Sequence, residues 1–144
     1  MVVCDSNALA YGDEDGNITI VNRQTGEVVV SDTLHDGAVT SMRKHPTHPH
    51  LMFSAGEDGT ILSYNLQALV LTDAVVDLDA AFHSVYPTGQ PVQNFYFVGA
   101  GCTTLVAVST VETISLWDIT TCEIVAQFPQ LRQQLNTMLC RFLQ

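Results

Sequence analysis

The segment Leu34-His35-Asp36-Gly37-Ala38-Val39-Thr40-Ser41-Met42-Arg43-Lys44-His45-Pro46-Thr47-His48-Pro49-His50-Leu51-Met52-Phe53-Ser54-Ala55-Gly56-Glu57-Asp58-Gly59-Thr60-Ile61-Leu62-Ser63-Tyr64-Asn65 decides the fold. Its last twelve residues read as a strand, an Asp-Gly turn and a second strand. Asp-Gly is suited to a tight hairpin because the turn demands positive φ. The same pattern precedes it in Tyr11-Gly12-Asp13-Glu14-Asp15-Gly16-Asn17-Ile18-Thr19-Ile20-Val21-Asn22. It recurs in Ala107-Val108-Ser109-Thr110-Val111-Glu112-Thr113-Ile114-Ser115-Leu116-Trp117-Asp118. Each copy closes on an aromatic or apolar residue followed by Asn or Asp. Working outward, Ile18–Val21, Val28–Val30, Thr60–Tyr64 and Thr113–Trp117 are short β-rich runs, bounded by Asp15-Gly16, Thr25-Gly26, Asp36-Gly37 and Asp58-Gly59. Many short strands separated by such turns predict an all-β sandwich, barrel or propeller.

The repeat chooses among these. Asn22 and Asn65 stand one period of ~40–45 residues apart, the length of a four-stranded propeller blade. The interval from Asn65 to Asp118 is longer by about ten residues, so an insertion is expected within 70–90. Leu34–Asn65 resembles a WD40 repeat over nearly its whole length. The matching features are His35 before the first strand, the His45-Pro46-Thr47-His48-Pro49 turn, Ser54 on the second strand, and Asp58-Gly59-Thr60-Ile61 leading into the third. The third copy keeps the Trp117-Asp118 dipeptide but has Val111 where the turn aspartate is expected. The stretch His83–Asp118 resembles the WD repeat-containing protein 89 branch in particular, with nucleoporin-type propellers as the runner-up. The resemblance implies a hydrogen-bond network of His35, Ser54 and Asp58 inside the blade, with Tyr64 in place of the usual strand-c Trp. A Tyr hydroxyl can donate as an indole N–H does, over a different reach.

This reading divides the chain into a partial first blade (1–33), a complete blade (34–75), a degenerate blade with the insertion (76–130) and a tail (131–144). Expected strands are 8–12, 17–22 and 27–33; then 38–44, 51–55, 60–65 and 68–73; then 92–98, 104–109, 113–119 and 123–128. A first strand for the first blade is absent or reduced to Met1–Cys4. Leu131, Leu135, Met138, Leu139 and Phe142 have the spacing of an amphipathic helix; the rival reading is the first strand of a further blade. Propellers close with ~4–8 blades, so about three blades predict a segment of a longer propeller or a chain that pairs with other copies.

Composition narrows the function. The 144 residues are 47% hydrophobic, and Asp+Glu number 15 against Lys+Arg 5, for a net charge of -10. That is too apolar for a disordered acidic tail. No run approaches the roughly 20 apolar residues of a membrane span, and Met1–Ala10 does not read as a secretory signal. Arg23, Arg43, Lys44, Arg132 and Arg141 are too scattered for phosphate contacts, so direct nucleic-acid binding is not expected. Cys4, Cys102, Cys122 and Cys140 form no close pair and read as reduced thiols of an intracellular, cytoplasmic or nuclear protein.

Several motifs invite chemistry and are better read otherwise. His45, His48 and His50 lie within six residues and can suggest zinc or copper, yet His-Pro is common in this turn of WD40 repeats, so no metal is expected. Asp13–Asn17 opens like a calcium loop but places Ile18 and Gln24 where Gly and a bidentate Glu belong. Asn17-Ile18-Thr19 has the pattern of a glycosylation sequon and, at the head of a strand, is expected unmodified. Neighbouring Ser, His and Asp suggest a hydrolase, but there is no Gly-x-Ser-x-Gly elbow, no P-loop and no dinucleotide fingerprint. The expectation is therefore no enzyme and no cofactor. The function expected is a scaffold for protein–protein interactions, with the nuclear pore or another large assembly as the alternative. Asp32, His35, Asp36, Glu57 and Tyr86, the last in the insertion, are the candidate partner-facing residues. The negative loops favour basic partners or serve solubility.

Overall fold

A computed structural model describes residues 2–3, 8–66, 78–130, 132–133 and 136. Three four-stranded antiparallel sheets follow one another along the chain. The first holds β1 (Val2–Val3), β2 (Ala8–Gly12), β3 (Asn17–Asn22) and β4 (Val28–Thr33) in that order. The second holds β5 (Val39–Lys44), β6 (Leu51–Gly56), β7 (Thr60–Asn65) and β8 (Phe82–Pro87). The third holds β9 (Val92–Val98), β10 (Thr104–Ser109), β11 (Ile114–Asp118) and β12 (Glu123–Phe128).

The sequence repeat is a repeat of register. Ala8 faces Asn22, Leu51 faces Asn65, and Thr104 faces Asp118. The last turn position is left-handed in all three, Gly16 at φ 86°, Gly59 at φ 80° and Glu112 at φ 63°, although the residue before it is Asp15, Asp58 and Val111 in turn. A Cβ on Gly16 would run into the His35 carbonyl, so this turn needs glycine for space as well as for its backbone angle. The carbonyls of these glycines are used in the same way. Gly16 O accepts from the amides of Leu34 (3.1 Å) and His35 (3.2 Å). Gly59 O accepts from those of Thr88 (2.9 Å) and Gly89 (3.1 Å). Each loop that leaves one sheet for the next is thus pinned to the hairpin of the sheet it leaves.

Alternation sends opposite faces of the central sheet to its two neighbours. Met52 and Tyr64 pack with Ala8, Ala10, Ile18, Ile20 and Val30 of the first sheet. Phe53, Ala55, Ile61 and Tyr86 pack with Val92, Phe95, Leu105, Ala107 and Trp117 of the third. Burying each large side chain contributes about 1.5–3 kcal/mol, so the two interfaces, rather than the sheets alone, stabilise the structure.

Two expectations change. The fourth strand of the central sheet is Phe82–Pro87, not 68–73, a run that lies outside the described residues. The extra residues therefore separate the third and fourth strands of the second blade, which runs on to Pro87 instead of closing at 75. Tyr86 sits opposite Ile61 and buries its ring on the same face, whereas sequence proximity carries little weight because loop closure costs grow slowly with length. In the tail, Arg132, Gln133 and Asn136 have helical backbone; Leu131, Leu135, Met138, Leu139 and Phe142 lie outside the described residues.

Candidate functional site

The densest polar cluster lies between the hairpin Leu51–Asn65 and the loop before β5. Strand β6 delivers Ser54, the hairpin turn delivers Asp58, the head of β7 delivers Thr60, and the loop pinned on Gly16 delivers His35. His35 Nε2 lies 2.8 Å from Ser54 Oγ. Its Nδ1 lies 3.1 and 3.2 Å from the two oxygens of Asp58. An ionised carboxylate only accepts, so Nδ1–H donates to it. Asp58 also accepts from the Thr60 hydroxyl (2.9 Å), the Thr60 amide (3.1 Å) and the Asp36 amide (3.1 Å). Burial by itself raises the Asp58 carboxyl, but the hydrogen bonds from Thr60, Asp36 and His35 outweigh it and hold the group below its usual 3.8. The Tyr64 hydroxyl is 3.5 Å from Ser54 Oγ, at the limit of a hydrogen bond. His35 and Ser54 are buried, and the His35 amide donates to Gly16 O in the hairpin turn of the first sheet. A Ser–His–Asp geometry is present, but the hydroxyl that would attack is shut away from solvent.

The equivalent place in the third sheet is built differently. Ala107 replaces Ser54, Val111 replaces Asp58, and at the pin Thr88 and Gly89 stand where the second sheet has Leu34 and His35. Thr88 Oγ1 donates to Gly59 O (2.7 Å), Ser109 Oγ accepts from the Thr113 amide (2.9 Å), and Trp117 Nε1 donates to Ser115 Oγ (3.0 Å). Trp117 meets Tyr86 edge-on, 6.0 Å between ring centres. Asp118 Oδ1 instead caps its own turn by accepting from the Thr120 amide (2.8 Å).

The candidate contact residues fall into two sets. Asp36 and Glu57 are exposed on adjoining loops, joined where the Glu57 amide donates to Ala38 O (2.9 Å). Asp32 is half-buried and accepts from the Leu78 amide (3.2 Å). His35 and Tyr86 are corrections, because neither can meet a partner: they are 2% and 1% exposed. Tyr86 alternates inward because β8 is a paired strand and not part of an irregular insertion; burial and the nearby Cys122 thiol push its phenol upward. The neighbouring hairpin adds the exposed Glu14 and Asp15 and the half-buried Asp13; the Val39 amide donates to Asp13 O (2.9 Å). Nothing in the sequence pattern singled out this joining of three acidic turns, which depends on how the first sheet seats on the second.

The other motifs resolve locally. Asp13 accepts from the amides of Asp15 (3.0 Å) and Asn17 (2.9 Å) and from the Asn17 side chain (2.9 Å), which closes the hairpin. Those hydrogen bonds, the side chain of Asn17 foremost, lower the Asp13 carboxyl. The Asn17 amide nitrogen is thereby engaged, and Ile18 and Thr19 of the sequon are buried. Among the described residues, no group of three His, Cys, Asp or Glu can hold a metal ion, and no helix is long and apolar enough to cross a membrane. Cys102 and Cys122 are free thiols; Cys4 and Cys140 lie outside the described residues.

Repeated blades that share one register and one hairpin-to-loop pin identify the architecture. These are the blades of a WD40 β-propeller. The comparisons with known proteins point the same way. No family model matches the chain. It is 38% identical over 63 residues to the periodic tryptophan protein 2 homolog of Dictyostelium discoideum, covering 43% of this chain and 7% of that protein. It is 38% identical over 61 residues to the WD repeat-containing protein 26 homolog of Arabidopsis thaliana, covering 42% of this chain and 10% of that protein. The chain thus spans a tenth or less of the length of these relatives. The crystal structure of the computationally designed Ika8 protein superposes with a TM-score of 0.62 at 17% identity, over 88% of this chain and 35% of that one, a likeness of fold alone. The WD40 sequence unit does not coincide with a blade here. The unit His83–Asp118 begins in the last strand of one sheet and ends in the third strand of the next.

Proposed function

We propose that this WD40 segment is a non-catalytic scaffold of an intracellular protein, and that it recognises basic segments of protein partners. One observation carries the reading: Asp36 and Glu57 stand exposed on loops joined by hydrogen bonds to each other and to the His35–Ser54–Asp58 cluster. The polar groups that resemble catalytic machinery are used up in the interior, while the exposed charges beside them are all acidic. A rigid loop loses little entropy on binding, and a like-signed rim raises the encounter rate with an oppositely charged partner. Fold alone does not assign a function, so the argument rests on these residues. The resemblance of His83–Asp118 supports placement in the protein 89 branch.

The test compares proteins captured by the parent chain and by Asp36→Lys/Glu57→Lys, with the melting temperature measured alongside. Partners that are salt-sensitive with the parent and lost with the charge-reversed variant, at unchanged melting temperature, support the reading. Equal capture by both, or no partner above an unrelated acidic control, overturns it.

A further inference from the structure

The turn between β5 and β6 carries a device that the scaffold reading does not use. His45 is 1% exposed, wedged between the second and third sheets. Its ring centre lies 4.9 Å from that of Phe97 and 6.4 Å from that of Phe53. Nε2 is 2.8 Å from the carbonyl oxygen of Cys102, which only accepts, so Nε2 carries the proton. Nδ1 faces the amides of Thr47 (3.2 Å) and His48 (3.1 Å), which only donate, and the Thr47 hydroxyl (3.3 Å), so Nδ1 is bare. A single neutral tautomer therefore shapes the turn and links it to the third sheet.

We propose that His45 is a proton-sensitive clasp: neutral, it fastens the turn 45–48 of the second blade to the Cys102 loop of the third, and protonation unfastens it. A proton on Nδ1 would turn the acceptor into a donor aimed at two backbone N–H groups that cannot rotate away. The ring must then leave its place between Phe53 and Phe97, and the bond to Cys102 goes with it. The groups around the ring oppose the cation. From its own turn, His48 Nδ1 lies 3.3 Å from His45 Nδ1, and the His48 and His50 rings are in edge contact, 5.8 Å between centres. Lys44 precedes it on β5. From β6 and β9 come the neutral rings of Phe53 and Phe97. The Cys102 loop presents a free thiol and the carbonyl, which favours the charge, as the Thr47 hydroxyl does only by turning to accept from Nδ1. Burial first, then His48 and His50, depress the His45 pKa below the ordinary 6.5 against the pull of that carbonyl.

The sign follows from linkage. Below pH 6.5 the unfolded chain takes up a proton that folded His45 refuses, so stability falls as the pH falls through the depressed value. The chain's single tryptophan, Trp117, lies in the same interface and reports on it.

The experiment follows the ring nitrogens by two-dimensional NMR from pH 8 to 5 on the whole chain, together with Trp117 emission and hydrogen exchange at the Thr47 and His48 amides. The expected result is a neutral His45 with Nε2 protonated at pH 7, titrating below the ordinary 6.5. Trp117 emission and a roughly tenfold rise in corrected amide exchange track that titration. In His45→Asn, whose Oδ1 replaces Nδ1 as acceptor without titrating, the step disappears; in His48→Asn it remains. The proposal is overturned if His45 titrates at or above the ordinary 6.5, or if the step persists in His45→Asn. Should that variant not fold, the nitrogen titration of the unaltered chain still decides.

Discussion

In the second blade, Asp58 gathers His35, Thr60 and the Asp36 amide around one carboxylate. In the third, the matching position is Val111, 55% exposed, with no carboxylate at all. Yet the two hairpins share one register, and both turns hold a left-handed residue in the same place. The third blade keeps its geometry through packing: Phe95 and Leu105 are fully buried, and Trp117 is stacked edge-on against Tyr86. A polar network and an apolar interface are thus alternative ways of fixing the same sheet. In the second blade the polar version also reaches the loop bearing the exposed Asp36, whose amide donates to Asp58.

Phe95→Ala separates the two kinds of support most sharply. It should cost about 3–5 kcal/mol in a denaturant titration, because a fully buried ring leaves a cavity in the interface that the third blade depends on. A loss under about 1 kcal/mol would mean that the third blade stands without that interface. Asp58→Asn should cost about 1.5–3 kcal/mol at neutral pH, the worth of hydrogen bonds to a charged acceptor. Its effect is also pH-dependent in a definite direction. Folded Asp58 lies below its usual 3.8, so the parent loses this stabilisation as the pH falls through and below that value. The gap between parent and variant should therefore narrow in acid, and a gap that widens would contradict the network. Glu112→Gly is the mildest change. It relieves a left-handed glutamate where the second blade has Gly59, and a gain of about 0.5–1 kcal/mol is expected in thermal melts. A loss would show that the exposed ion pair with Arg132 outweighs the backbone.

Much of the fold could be read from the residues, because hairpins are local. Asp15-Gly16 and Asp58-Gly59 set the turn, and alternation on either side sets which face each side chain takes. That is why the b–c hairpins of all three blades stand within a residue or so of their expected bounds. The fourth strand of the second blade could not be read the same way. Phe82–Pro87 is separated from its partner by a long loop, and its apolar pattern is no stronger than that of 68–73. Only the pairing of Tyr86 with Ile61, and the burial of its ring against the third sheet, distinguish it.

The candidate site divides along the same line. His35, Ser54 and Asp58 belong to one repeat, and its resemblance to a WD40 repeat already implied that they meet; that Tyr64 stands only at the limit of a hydrogen bond and that Thr60 joins at Asp58 came from the structure. Exposure is not local. Whether Tyr86 or His35 faces a partner, whether the acidic turns of two blades join into one rim, and whether His45 is a solvated turn residue or a buried neutral clasp depend on which sheet lies against which. Tertiary structure alone decided these, because they follow from the burial of apolar faces between sheets, and a strand in isolation has no buried side.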